Sequence, residues 1–175
     1  MKTLNLKSYG KINLVLDVTG KRPDGYHELV TIFQKIELYD KITLIQQKHG
    51  IKITCSHPQV PLDNKNIVYK AARCFLEKHN IDGGARIHIE KGVPIAAGFG
   101  GGSSNAACTL TGLNEMFDLP VTNDEIFEIA ASLGADVPFF LQDKPCLATG
   151  KGEQLKPFEN GPQFNLVLVV PEIEL

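Results

Sequence analysis

The chain has no tryptophan, only two methionines, and no apolar run long enough to cross a bilayer as a helix. Charge of neither sign dominates: 18 lysines and arginines stand against 20 aspartates and glutamates, a formal net charge of −2. That balance argues against a general nucleic-acid or membrane surface, so neither partner is expected. Cysteine is sparse, and no C-x-x-C occurs among Cys55, Cys74, Cys108 and Cys146. They read as reduced, mostly buried thiols, which fits a cytoplasmic protein; a disulfide pair among them stays open. His49, His57, His79 and His88 lack ligand-like spacing, so no zinc or other protein-held metal site is expected. The start, MKTLNLKSYGKINL, has neither a long apolar segment nor a cleavage site, and no signal peptide is expected.

What is present is patterned. The 175 residues suit one domain or two small ones and can bury roughly 70% of the unfolded surface. From Lys11 to Val18 residues alternate, with Ile12, Leu14, Leu16 and Val18 on one face and Lys11, Asn13, Val15 and Asp17 on the other. That is a strand whose second face carries a lysine and an asparagine side by side. "GKRPDGYHEL" reads as a turn on its Pro-Asp-Gly core. Strands are predicted at Val30–Ile36, Lys41–Gln46, Ile51–Cys55 and Ala85–Glu90. A helix is predicted over Asn64–Asn80, with Ile67, Val68, Ala71, Ala72, Phe75 and Leu76 as its apolar stripe.

A second helix is expected from about Ser103 to Phe117, stopped by Pro120. Thr122 with Glu125 forms a capping box for a third, whose buried face is Ile126, Ile129, Ala130 and Leu133 and which Gly134 closes. "ADVPFFL" reads as a turn, and Cys146–Thr149 and Phe164–Val170 as final strands. Mixed strands and helices with an antiparallel meander near the N-terminus point to α+β.

The densest signal is "PIAAGFGGGSSNAACTL", Pro94 to Leu110, where glycine fills four of the five positions from Gly98 to Gly102 just before a helix. The first N–H groups of a helix have no internal partner, and its dipole favours an anion there. Glycine lets the backbone approach phosphate oxygens and adopt positive φ. Ser103 and Ser104 add hydroxyls. A plain structural turn needs fewer glycines. The run is neither a Walker A loop nor a G-x-G-x-x-G fingerprint, since Ser103 stands where the last glycine is required. Protein-kinase signatures are absent.

"GFGGGSSNAA" resembles the P-x-x-x-G-L-x-G-G-S-S-[DN]-A-A loop of the galactose, homoserine, mevalonate and phosphomevalonate (GHMP) kinase superfamily. "YGKINLVLDVTGKRPDGYHEL", "LGADVPFFL" and "ATGKGEQL" resemble, in order, three blocks of the branch that phosphorylates 4-diphosphocytidyl-2-C-methyl-D-erythritol. Phe99 replaces the usual leucine, and Gly10 the usual alanine. The resemblance implies the superfamily's N-terminal domain over 1–170, like the second domain of ribosomal protein S5, with a left-handed β-α-β crossover. Residues 171–175 would begin a hinge to a further domain. It also implies ATP with Mg²⁺ and a small-molecule acceptor in the non-mevalonate isoprenoid route. Asp136 would be the base and Lys11 its partner. Asn13, Tyr26 and His27 would contact the cytidine-linked substrate. Asn66 and Lys91 would lie near adenine, and Pro94, Gly98, Gly100, Gly101, Gly102, Ser103 and Ser104 would hold the triphosphate. A homodimer, a non-catalytic binding module and another small-molecule kinase of the superfamily are the other expectations kept open.

Overall fold

The computed structural model describes residues 1–159 and 163–170. Its elements are β1 (Thr3–Lys21), β2 (His27–Gln47), β3 (Gly50–Cys55), α1 (Ile67–Lys78), β4 (Gly84–Glu90), α2 (Gly101–Phe117), α3 (Asn123–Leu133), a 3₁₀ turn at Pro138–Leu141, β5 (Cys146–Gly150) and β6 (Gln154–Pro157). The architecture is α+β, as the sequence suggested.

β2 is the spine of a six-stranded sheet. Along one edge it pairs antiparallel with β1. Along the other it pairs with β5 over Leu29–Phe33 and with β4 over Lys41–Gln47. β3 and β4 are parallel and are joined through α1. The two strands predicted at Val30–Ile36 and Lys41–Gln46 are thus one. The stretch Glu37 to Asp40 between them does not turn, because β1 pairs with β2 on both sides of it and a register shift between Tyr9 and Lys11 absorbs the irregularity.

The helices lie over one sheet face. The α1 stripe buries Val68, Ala71, Ala72, Phe75 and Leu76 as its spacing required, with Asn66 as the N-cap. α2 approaches the sheet closely: a Cβ on Gly112 would collide with Leu44 Cδ1 and stand 2.6 Å from Leu6 Cδ1. The capping box of α3 is formed, with Glu125 N donating to Thr122 Oγ1 and Thr122 N to the Glu125 carboxylate. Ile42, Leu44, Ile87 and Ile89 from the sheet meet Phe75, Leu110, Leu113 and Phe139 in a common core.

Two further expectations change, and one face of β1 lies open. α2 begins at Gly101 rather than Ser103, because Gly100 adopts the left-handed N-cap conformation (φ 67°) and the helix takes in the next two glycines. The face Leu14, Leu16 and Val18 is exposed, since this end of the β1–β2 hairpin carries no helix and the register slips after Asn13. Phe164–Val170 form no strand: they pair with nothing and are exposed, whereas β6, an unexpected strand, takes the sheet edge beside β5. The hinge expected at 171–175 lies outside the described residues. All four cysteines are free; Cys146 is buried and the other three half-buried. Among the described residues no helix is long and apolar enough to cross a membrane.

Candidate active site

The glycine loop reaches its position through β1. Lys11 N donates to Phe99 O at 2.9 Å, which ties the loop to the sheet. Gly98 and Gly100 both have positive φ, 76° and 67°, as does Ala96 at 55°. The loop closes one side of a cavity of about 460 Å³, large enough for a nucleotide-sized ligand. Pro94, Gly98, Gly100, Gly101, Gly102 and Ser103 line it, as do Asn66 and Lys91. Free amides at a helix start on such a wall suit an anion.

Three of the expected ATP residues are constrained by the fold itself. Asn66 is nearly buried: its Oδ1 accepts from Val68 N at 2.9 Å and its Nδ2 donates to Pro61 O at 2.6 Å. It shapes the cavity wall with its polar atoms already engaged. Lys91 is ion-paired with the fully buried Asp40, whose other oxygen accepts from Gly92 N and Val93 N, each at 2.8 Å. The Lys91 ammonium still lies against the first turn of α2, 3.1 Å from where a Gly101 Cβ would sit.

Ser104 is not brought to the cavity. The helix turns it inward, 3% exposed, toward β1. Ser8 Oγ lies 2.7 Å from both Ser104 Oγ and Asn105 Oδ1. With a single proton, Ser8 donates to Asn105 Oδ1 and accepts from Ser104. Ser103 is the hydroxyl that faces the cavity.

Beside the loop stand Lys11 and Asp136. Lys11 is buried at 6% exposure, and its Nζ is 3.5 Å from Asp136 Oδ2. The ammonium also donates to Asn13 Oδ1 at 2.8 Å and sits 4.5 Å above the Phe33 ring. Its stem packs on the loop: a Cβ on Gly100 would be 3.3 Å from Lys11 Cγ and 2.8 Å from Phe140 Cζ. Only glycine therefore allows the loop, the lysine and the 3₁₀ turn to meet. Asp136 arrives from the turn after α3, and it remains about one-third exposed.

Tyr26 and His27 stand at the tip of the β1–β2 hairpin, both exposed. Arg22 ties that tip by pairing with Glu28 at 2.8 Å and Asp24 at 3.2 Å. Lys151, on the β5–β6 turn, places its Nζ 4.7 Å from the Tyr26 ring centroid. The next residue of that turn, Gly152, lies by Asp136, its added Cβ falling 3.9 Å from Asp136 Oδ1. The turn thus borders both the exposed aromatic tip and the Lys11–Asp136 pair.

Residues 66–144 match the model of the GHMP kinases N terminal domain. A 4-diphosphocytidyl-2-C-methyl-D-erythritol kinase of Caldicellulosiruptor bescii is 44% identical over 171 residues, which cover 97% of this chain and 60% of that protein. One of Clostridium botulinum strain Hall is 46% identical over 169 residues, again 97% of this chain and 60% of the relative. A crystal structure of 4-(cytidine 5'-diphospho)-2C-methyl-D-erythritol kinase superposes with a TM-score of 0.74 at 39% identity, covering 89% of this chain and 55% of that one. The likeness to the GHMP kinases N terminal domain thus lies in residues 66–144. The chain spans about 60% of the length of the curated relatives it matches.

Asn66, Lys91, the glycine loop and Asp136 fall inside the matched segment, while Lys11, Asn13, Tyr26 and His27 precede it. Sequence reasoning missed Asp40, Thr31, Phe33 and Phe140. Each acts through pairing or packing with distant residues, and no local spacing announces that.

Proposed function

We propose that the domain serves ATP-dependent phosphorylation of the tertiary 2-hydroxyl of 4-diphosphocytidyl-2-C-methyl-D-erythritol, a step of the non-mevalonate isoprenoid route. The observation that carries this reading is the Lys11–Asp136 pair at 3.5 Å, abutting a glycine loop that lines a cavity of nucleotide size. Identity to kinases of that name over nearly the whole chain supports the choice of acceptor.

Phosphoryl transfer asks the protein for positioning and charge stabilisation. The loop amides from Gly98 to Gly102 and the α2 N-terminus receive the triphosphate. The acceptor oxygen bonds to the γ-phosphorus, the bond from that phosphorus to the β-bridging oxygen breaks, and ADP departs. Asp136 takes the hydroxyl proton. Lys11 pairs with Asp136 and faces the charge that develops on the transferred group. Asn13 fixes Lys11, and the exposed Tyr26 ring offers a stacking face to a cytosine base, with His27 beside it to read the base edge.

Among the described residues no three His, Cys, Asp or Glu side chains are grouped to hold a metal ion. The Ser103 hydroxyl oxygen would suit a Mg²⁺ ion carried mainly on the nucleotide's phosphates, whose oxygens the loop amides would receive. When bound, that ion neutralises phosphate charge. The free thiols support a reducing, cytoplasmic setting. A small molecule, rather than nucleic acid or lipid, is the partner. The exposed Leu14, Leu16 and Val18 support self-association into a homodimer.

Transfer of ³²P from γ-labelled ATP, with the chain in excess over the labelled nucleotide, tests the reading. Label is expected on 4-diphosphocytidyl-2-C-methyl-D-erythritol and not on homoserine or mevalonate. Label on either of those instead would assign a different kinase of the superfamily. Binding of both ligands without transfer would leave a non-catalytic module.

A further inference from the structure

Thr31 is fully buried, yet it is polar and belongs to no expected motif. Its hydroxyl donates to Val15 O at 2.7 Å. That uses its only proton, so toward any other neighbour Thr31 can only accept. The neighbour is Asn13, whose Nδ2 donates to Thr31 Oγ1 at 2.7 Å. With the amide nitrogen directed at Thr31, the amide oxygen points the other way and accepts from Lys11 Nζ at 2.8 Å. Lys11 in turn lies 3.5 Å from Asp136 Oδ2. Polarity is therefore set from the backbone carbonyl of Val15 through Thr31 and Asn13 to the ammonium. The β1–β2 register explains how Val15 can begin this series. Asn13 is opposite Phe33 and Val15 opposite Ile32, so one residue is inserted between them. Such a bulge re-aims side chains on the strand that carries it.

We propose that Thr31 is a positioning residue for Lys11: its hydroxyl, anchored on Val15 O, locks the Asn13 amide in the one orientation that presents oxygen to the ammonium. This inference rests on the reading of Lys11 and Asp136 as the pair that meets the acceptor alcohol. Without the hydroxyl the Asn13 amide is free to flip. An amide NH₂ facing the ammonium repels it, which frees Lys11 from Asn13. A side chain released from that contact is easier for the reagent to reach and acylate.

The test is native-state acylation of the 175-residue chain with an N-hydroxysuccinimide ester of acetic acid, read lysine by lysine by mass spectrometry. Wild type is compared with Thr31→Ser, which keeps the hydroxyl, and with Thr31→Val and Thr31→Ala, which lack it. Acylation of Lys11 relative to Lys35 and Lys91 should rise several-fold in the Val and Ala variants and stay at the wild-type level in Ser. An unchanged Lys11 ratio, or a parallel rise at all three lysines, would overturn the proposal. So would failure of both hydroxyl-free variants to fold while Ser folds, since the hydroxyl would then be a structural requirement. Phosphoryl transfer by Asp136→Asn separates this from the functional reading. A selective Lys11 response together with wild-type transfer by Asp136→Asn leaves the positioning intact and removes the kinase mechanism. No Lys11 response together with loss of transfer in Asp136→Asn does the reverse.

Discussion

The carboxylate of Asp40, fully buried between β1 and β4, holds the Lys91 ammonium with one oxygen and the Gly92 and Val93 amides with the other. The Lys91 side chain is only 8% exposed. A buried ion pair costs desolvation, but breaking it by removing one partner leaves a charge without compensation. Here that charge lies beneath the first turn of α2, where the phosphates are proposed to sit.

Asp40→Ala should therefore destabilise the chain by about 3–5 kcal/mol, the range for breaking a buried pair. Urea unfolding followed by circular dichroism measures it. A loss below about 1 kcal/mol, the scale of an exposed pair, would mean that water reaches Lys91 freely.

Gly100→Ala meets two obstacles. The residue sits at φ 67°, and the new Cβ would stand 2.8 Å from Phe140 Cζ. The left-handed conformation alone costs roughly 1–2 kcal/mol with a side chain. The variant should fold with that loss and bind a non-hydrolysable ATP analogue more weakly in titration calorimetry. Undiminished binding would place the phosphates elsewhere.

Burial raises the Cys108 thiol to about 12, with Lys35 nearby pulling it partly back. A thiol whose folded value is raised favours the neutral form, so its contribution to stability is complete below the unfolded value of about 8.5. That contribution fades as pH climbs from there toward 12. The urea midpoint of wild type should fall more between pH 8 and pH 10 than that of Cys108→Ala, because the other titrating groups are common to both. Parallel declines would show the thiol ionising as easily in the fold as in the open chain.

How much of this was legible in the chain depends on the range of the interaction. The α1 stripe from Val68 to Leu76 and the Thr122–Glu125 box repeat at helical spacing and depend on near neighbours, so they could be read directly. The glycine loop stands out in the sequence as a candidate anion cradle because its composition is extreme, yet its inner geometry does not show there. Nothing local says that Gly100 rather than Ser103 caps α2, which turns Ser104 away from the cavity. β2 reads as two strands because Asp40 interrupts the apolar series Ile36, Leu38, Ile42 and Leu44. Only pairing with β1 across Lys35–Lys41 keeps it extended. Phe164–Val170 carries strand-like residues, but a strand needs a partner, and β6 already flanks β5. Thr31 lies 18 residues from Asn13, and its role exists only where the hairpin closes.

The central claim is that Asp136 receives the acceptor's proton while the glycine loop holds ATP independently of it. Single-turnover ³²P transfer, paired with calorimetric ATP binding for wild type and Asp136→Asn, tests this most directly. The account predicts a loss of transfer of about 10²–10⁴-fold in the variant, the range for a general base, with ATP affinity unchanged. Transfer at the wild-type rate, or loss of ATP binding together with the fold, would contradict it.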